Sequence, residues 1–333
     1  MTTGNIPART VPLSAGATWN ALHQAATVAG NAPSIHNTQP WRWHVSTGVL
    51  DLWADRDRQL TVADPAGRML TISCGAALHH ALVALAVQGL GTIVVPVPDP
   101  RRPDLLARLT VTGNVPITMA SIALLDAVSL RRTDRRPVTG EPMDETTMLA
   151  IANAAEPQGA FLRFLGPERV PALATLAASA SAAQPADPAW RAELDRWIDS
   201  GASDTGVPVV NIPGQPVRTP VPERDFGRPG TLPMRGSAAG AAVYAVLYGE
   251  EDDPAAWLSA GRALSAVWLM ANELDVSVVP ISAITEVPGT RRGLRELLAR
   301  IGWPYLVLRM GLTDPRSRSP RVTPRLPAEE TVR

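Results

Sequence analysis

The segment Ala32-Pro33-Ser34-Ile35-His36-Asn37-Thr38-Gln39-Pro40-Trp41 concentrates hydroxyls and amides between a helix end and a strand start. Such side chains donate and accept without carrying charge, so with free backbone N–H groups they can grip the polar edge of a planar heteroaromatic ring. Taken by itself, the better reading is an ordinary turn, where Ser, Asn and Pro are common. The second dense segment is Arg131-Arg132-Thr133-Asp134-Arg135-Arg136. Its four guanidiniums and one hydroxyl suit a dianionic phosphate, whose oxygens arginine forks bind in pairs. A solvated basic turn explains the same residues equally well. Arg316, Arg318, Arg321 and Arg325 continue the basic theme near the C-terminus, where a plain charged tail is the usual reading.

Other candidates are weaker. His79 and His80 are adjacent on a helical pattern, so they point in different directions and make no i,i+4 metal pair. His36 is read as a structural hydrogen-bonding residue, and His23 and His44 as surface or packing residues. Glu250-Glu251-Asp252-Asp253 reads as a solvated cap before a helix. Cys74 is the one cysteine, which excludes an internal disulfide and a thiolate metal cluster and leaves a buried packing role. Gly89-Leu90-Gly91 lacks a third glycine and follows a helix, so no dinucleotide fingerprint is present. No nucleophile motif and no metal site is expected.

The elements that must position these segments can be read from hydrophobic periodicity. Thr18 is expected to cap a helix to Ala29, and Trp41–Val45 with Val49–Trp53 reads as a hairpin. An Ala-rich helix over Arg68–Gln88 follows, then strands at Thr92–Val97 and Leu105–Val111. A second series runs through a helix at Ile122–Leu130, a helix at Asp144–Ala155 and a strand at Phe161–Leu165. It resumes with a strand at Ala241–Tyr248, a helix at Ala255–Leu274 and a strand at Val276–Val279. A helix at Arg291–Ile301 and a strand at Tyr305–Met310 end it. Residues 185–235, rich in Pro and Gly, read as an insertion with one amphipathic piece at Trp190–Ile198, in which Trp190 and Trp197 would pack the flap down.

Ser73-Cys74-Gly75-Ala76-Ala77-Leu78 matches Ser259-Ala260-Gly261-Arg262-Ala263-Leu264 in four slots at a constant offset of 186. The surrounding order of elements repeats as well, so the chain reads as two copies of one α+β unit. A symmetric dimer with sites across its interface is the natural ancestor of such a chain.

Composition narrows the function classes. The chain has 333 residues, 45% hydrophobic and 19% charged, enough for a large core. Thirty-one basic residues balance thirty-one acidic ones, so no global field draws the chain to nucleic acid or anionic membrane. Every basic residue is arginine, and the absence of lysine excludes Schiff-base and P-loop chemistry. The N-terminus carries no apolar secretory stretch, and the longest apolar run, Ala81–Val97, is broken by Gln88, Gly89, Gly91 and Pro96. No membrane span and a cytoplasmic location are expected.

Taken together and in order, the motifs resemble the nitroreductase family of FMN enzymes, most closely its double-length Acg-type branch. Pro33-Ser34-x-x-Asn37-x-Gln39-Pro40-Trp41 resembles one signature of that family, and Arg131-Arg132-Thr133-Asp134-Arg135 its Arg-x-Ser-x-Arg/Lys phosphate motif. Val279-Pro280-Ile281-Ser282-Ala283 resembles the Pro-Ile-Glu-Gly stretch near flavin N5. Thr323-Pro324-Arg325 resembles the C-terminal phosphate-binding Lys-x-Arg, with Thr323 in place of the lysine and Ser282 in place of the frequent glutamate. The resemblance implies an α+β, three-layer α-β-α nitroreductase-like fold, built as two tandem degenerate repeats that form a pseudo-dimer within one chain.

It implies an N-terminal arm at 1–16, a first half at 17–125, a second half at 126–184 and 236–333, and a lid over the flavin at 185–235. Arg131, Thr133 and Arg325 would hold the phosphate, Arg135 would lie beneath the pyrimidine, and Arg132 and Thr323 would belong to the same cofactor-binding set. Arg132 and Arg136 have no defined ligand role in the motif and are expected to face solvent. Pro33, Ser34, Asn37 and Gln39 would line the flavin from the other half, and Pro280, Ile281, Ser282 and Ala283 would approach N5.

The first copy keeps Ser34 and Asn37 but lacks an arginine turn. The second keeps the arginine turn but reads Ala154-Ala155-Glu156-Pro157-Gln158-Gly159-Ala160 at the loop position. The losses are complementary and imply one FMN per chain in a monomer. The implied activity passes hydride from NAD(P)H to FMN and on to a small-molecule acceptor such as a nitroaromatic or quinone. Two alternatives stay open: a protein that sequesters FMN beneath a closed lid, and a flavin-free pseudoenzyme.

Overall fold

The computed structural model describes residues 14–138, 141–198, 204–215, 219–233, 241–312 and 323–333. Most of the expected N-terminal arm, and Arg316, Arg318 and Arg321, lie outside the described residues.

The first half opens with α1 (Ala15–Ala29), followed by β1 (Trp41–Ser46), β2 (Val49–Ala54), α2 (Arg68–Val87), β3 (Leu90–Pro96), β4 (Leu105–Asn114) and α3 (Met119–Leu130). The expected cap at Thr18 is replaced by Ser14, whose Oγ accepts from Ala17 N at 3.2 Å, so the helix starts a turn earlier. Likewise α3 begins before Ile122, because Thr118 and Ser121 form a reciprocal capping box.

The chain continues through α4 (Glu145–Asn153), β5 (Phe161–Phe164), α5 (Val170–Ala183), α6 (Pro188–Arg196), β6 (Val243–Gly249), α7 (Pro254–Glu273), β7 (Val276–Ile281), α8 (Ala283–Glu286), α9 (Pro288–Leu297), β8 (Trp303–Leu312) and α10 (Ala328–Thr331). Asp144 caps α4 as its position suggests, accepting from Thr147 N at 2.6 Å. Helix α5 has no counterpart among the sequence expectations. Its Ala- and Ser-rich stretch shows little periodicity, and it is held by packing Leu173 and Ala177 into the core.

Both sheets are antiparallel and share one strand order, β1-β2-β4-β3 and β5-β6-β8-β7. In each, a twenty-residue helix links the second strand to the third. Those two helices pack directly on each other. A side-chain carbon on Gly75 would collide with Leu258 O, and one on Gly261 with Ile72 O. The pairs 72/258, 75/261 and 79/265 are each separated by 186, and His79 meets Ser265 at 2.9 Å. The contact is therefore reciprocal, as across a two-fold axis.

Helix α2 is long and apolar enough to cross a membrane, yet it is buried within the protein on nearly every side. The C-terminus returns to the first sheet, where Arg333 N donates to Trp43 O at 2.9 Å and Val45 N to Arg333 O at 2.8 Å.

The inner face of the first sheet buries Trp41, Trp43, Leu50 and Leu52 against α1 and α2. The second sheet packs Leu162, Leu247 and Leu308 against α4 and α7, and its outer face buries Tyr244, Val246 and Val307 beneath α5, α8 and α9. The segment around α6 builds a small core of its own from Trp190, Leu194, Ile198, Val207, Ile212 and Phe226. Glu193 docks it to the first half, its carboxylate accepting from Val62 N at 3.0 Å and Ala63 N at 2.8 Å.

Candidate active site

One large cavity, about 630 Å³, opens where the two halves and the α6 segment meet. The 33–40 loop forms one wall. Three of its residues other than glycine hold left-handed backbone, His36 at φ 46°, Asn37 at 56° and Gln39 at 51°. Such strain persists only where surrounding bonds impose it. Ser73 Oγ accepts from Ile35 N at 3.1 Å, and Ser34 Oγ from Gln39 N at 3.0 Å. Asn37 ties the loop to the C-terminal segment, with Nδ2 donating to Pro324 O at 3.1 Å and Oδ1 accepting from Arg325 Nη1 at 3.0 Å. Gln39 adds Oε1 to Leu326 N at 2.9 Å and Nε2 to Asp204 O at 2.8 Å. Pro33, Ser34 and Asn37 line the cavity, whereas Gln39 is buried behind it as a brace.

Arg131, Arg132, Thr133, Thr323 and Arg325 gather at one end. Arg131 follows the last turn of α3, stacks over Trp268 at 4.6 Å and donates to Asn31 O at 3.3 Å. Arg325 bonds Thr323 O at 3.0 Å and Pro324 O at 2.9 Å, and Arg132 bonds Ser129 O at 2.7 Å. Among the described residues none of these three guanidiniums meets a carboxylate, and Nε of Arg131 and of Arg325 is buried without a partner. Burial, and then mutual repulsion, pushes Arg131 down to about 9 and Arg325 to about 10. Arg132 faces the cavity instead of bulk solvent, and Arg136 is drawn into a 2.6 Å ion pair with Asp134. Both depart from the expected exposure because the turn folds inward.

Arg135 donates to Asn211 O at 3.1 Å and lies over Phe226 at 5.2 Å, and Asn211 Nδ2 donates in turn to Thr323 Oγ1 at 3.3 Å. Burial pushes it down to about 10. Arg224 pairs with buried Glu286 and donates to Ser282 Oγ at 3.1 Å, its guanidinium lying 5.5 Å from the Trp190 ring. Pro280 and Ser282 reach the cavity; Ile281 and Ala283 do not, because strand alternation and the first turn of α8 direct them into the core. His36 lines the wall, edge-on to Phe226 at 6.4 Å. Burial first and Arg224 second push it down to about 3, so the ring is neutral at pH 7.

Met69 and Ile72 from α2 and Leu264 and Trp268 from α7 supply an apolar floor. Motif reading missed this floor, although Ile72 and Leu264 lie in or beside the repeated hexapeptide. It also missed Arg224 and Phe226, which sit in a Pro-rich stretch with no periodic signal. Cys74 is buried with its thiol pushed up by burial, consistent with packing. No cluster of three potential metal ligands occurs among the described residues.

No protein-family model matches the chain. A Mycobacterium tuberculosis H37Rv protein, provisionally named NAD(P)H nitroreductase Rv3131, is 38% identical over 306 residues, covering 89% of this chain and 87% of the relative. The chain belongs to the nitroreductase family. A second nitroreductase relative from that organism, provisionally named acg, is 28% identical over 315 residues, covering 94% and 95% of the two chains. Among solved structures, the FMN- and NADPH-dependent nitroreductase NfnB from sphigopyxis sp. strain HMH aligns at 16% identity, with a TM-score of 0.40, over 63% of this chain and 97% of its own.

Proposed function

We propose that this nitroreductase-family chain binds one FMN in the cavity and is an NAD(P)H-dependent oxidoreductase. The observation that carries the reading is the set Arg131, Arg132 and Arg325, three guanidiniums that meet no carboxylate among the described residues, in a cavity with an apolar floor. Clustered charges of one sign, with Arg131 buried and Arg132 and Arg325 half-buried, call for a counter-ion. A phosphate monoester dianion supplies it, because its oxygens accept from guanidinium N–H groups in pairs. Arg131, Arg132, Thr133, Thr323 and Arg325 would hold the phosphate. Pro33, Ser34 and Asn37 would face the ring system and ribityl chain with Pro280, Ser282 and Arg135, with Ile281, Ala283 and Gln39 as support behind. Bound there, FMN would supply hydride chemistry between NAD(P)H and a nitroaromatic, quinone or similar acceptor.

The protein's part is positioning, exclusion of water and electrostatics. Arg135, lying over Phe226, keeps a positive charge against the cavity wall. His36 stays neutral, so it adds no further cation. The α6 segment closes the cavity from outside.

The repeat supports a pseudo-dimer of a first half at 17–125 and a second at 126–184 and 236–333, with 185–235 as lid. The shared strand order and the reciprocal α2–α7 contacts favour it. A monomer with a single composite site follows.

A sequestering role is favoured by one specific feature. The lid is tied to both halves, through Glu193 to Val62 and Ala63 and through Arg224 to Glu286. The visible spectrum of purified protein, followed by anaerobic mixing with NADH or NADPH, separates the readings. A yellow protein bleached by nicotinamide is the expected result. A yellow protein that stays oxidised supports sequestration, and a protein colourless even with added FMN removes both.

A further inference from the structure

Helix α2 lays Met69, Ile72 and Ser73 along the cavity floor, and two turns beyond Ser73 the same helix carries His80. His80 is fully buried, and among the described residues neither ring nitrogen has a hydrogen-bond partner. His79 beside it shows the contrast, since its ring meets Ser265 Oγ at 2.9 Å. Idle buried nitrogens are uncommon because each gives up water without a replacement.

The neighbours of His80 share its condition. Ala127 and Val128 of α3 pack with Val83 of α2 and Leu269 of α7, and Arg131 N closes the α3 end on Ala127 O at 2.8 Å. This packing brings Arg131 to the His80 side of α2. The charged groups acting on His80 are Arg131 and Arg325, with His79 as the remaining titratable neighbour and no carboxylate. Nε of Arg131 and Nε of Arg325 are buried donors without an acceptor. An imidazole with an uncommitted lone pair is thus within electrostatic reach of two guanidiniums with uncommitted N–H groups, on the face of α2 that Val83 packs against α3.

We propose that His80 is a positioning residue for the phosphate end of the cavity, accepting from Arg131 Nε–H as a neutral imidazole and so aiming the Arg131 Nη donors at the ligand. The proposal rests on the FMN reading above. A carboxylate in this place would hold the guanidinium equally well but cancel its charge, whereas a neutral imidazole orients it and leaves that charge for the phosphate. Three guanidiniums already exceed the charge of a dianion, so a fourth cation would be repelled. Burial, followed by Arg131 and Arg325, holds the imidazole well below its usual range, which keeps its lone pair at neutral pH. No hydrogen bond joins His80 to Arg131 in the structure. The bond is expected to close when a phosphate draws the guanidinium into line, as polar site contacts commonly tighten on binding. His80 does not line the cavity, so its effect reaches the ligand through Arg131.

The test compares the affinities of FMN and riboflavin, which share a ring and differ in the phosphate, measured by quenching of flavin fluorescence. His80→Phe should weaken FMN about tenfold, the loss of one oriented charge-assisted bond, and leave riboflavin within about twofold. His80→Gln, which restores a neutral acceptor, should recover most of the FMN preference. In an Arg131→Ala background, His80→Phe should add no further FMN-specific loss. Equal loss of both flavins, or unchanged FMN affinity, would overturn the proposal. Where His80→Phe does not fold, His80→Asn retracts the acceptor and is read by the same ratio. A wild-type protein that binds neither flavin overturns the FMN reading and this proposal with it. A wild type that binds both equally leaves the flavin reading standing and overturns the phosphate assignment together with this proposal.

Discussion

The loop at 33–40 and the loop at 154–160 occupy the same place in the two halves. Each follows a helix, contains a 3-10 turn, at Ile35–Asn37 and Glu156–Gln158, and feeds the first strand of its sheet. Both lean on the repeated serine. Ser73 Oγ accepts from Ile35 N at 3.1 Å, and Ser259, 186 residues on, lies 3.5 Å from the position a Gly159 side-chain carbon would take. The loops differ in where their polar groups are directed. The first commits Asn37 and Gln39 to the C-terminal segment that carries Arg325, across strained backbone. The second lets Gly159 take the positive φ of 84°, and its Gln158 Oε1 accepts from Arg262 Nη2 at 2.8 Å. One frame therefore supports a site in one half and a filled contact in the other, decided by a few side chains.

The reciprocal helix contact can be broken most severely. Gly75→Ala and Gly261→Ala each place a carbon against backbone carbonyls of the opposite helix, so neither can be absorbed by side-chain movement. Each should cost more than about 3 kcal/mol in denaturant unfolding, at the upper end of overpacking effects. The two costs should be similar. A large inequality would show that the two-fold relation is geometric only.

The helix starts offer a pH test. Helix α7 is capped by exposed Asp253, whereas buried Asp64 receives Leu70 N of α2 at 2.9 Å. Burial raises Asp64 from 3.8 to about 6. Since the folded value is the higher one, the folded state favours the protonated form, and stability falls as pH rises from about 4 to 6, then levels. The loss is about 3 kcal/mol. Asp64→Asn should flatten that window in unfolding free energy measured from pH 3.5 to 7. A slope that survives the substitution assigns the effect elsewhere.

Arg325→Ala removes the cation that the C-terminal segment brings to the proposed phosphate end. FMN should bind about 10- to 100-fold more weakly, with riboflavin little changed, in a protein that still folds. Unchanged FMN affinity would detach the C-terminal segment from the site.

The halves also explain what was legible. Helices with one apolar face and strands with strict alternation announce themselves, as α1 and the β1–β2 hairpin do. The matching hexapeptides were visible because close helix packing demands glycine at both 75 and 261. Arginines with their motif spacing pointed to one end of the cavity. Another part of the lining was hidden because Arg224 and Phe226 gain their places through docking of the 219–233 segment, a tertiary event without a local pattern. Gln39, Ile281 and Ala283 were drawn into the site by motif position, yet side-chain direction is set by strained φ, strand alternation and the α8 turn. The outer sheet faces were equally hidden. In the first half Arg108 bonds Asp51 at 2.8 and 2.7 Å on an open face, while the second half covers Tyr244 and Val307 with helices.

The smallest expected effects return to the paired loops. Asn37→Ala removes both amide bonds, to Pro324 O and Arg325 Nη1, and leaves left-handed backbone at a residue type that tolerates it less well than asparagine. The loss should be about 1–2 kcal/mol of stability together with weaker FMN binding, since Arg325 is released. Gln158→Ala removes one acceptor from Arg262, which is partly accessible and can turn to water, so about 0.5 kcal/mol or less is expected and FMN binding should not change. Matched denaturation and flavin titrations on the two variants measure the asymmetry directly. Equal flavin losses would mean that the second loop still contributes to a site, and the comparison of an active loop with a filled one would have to be abandoned.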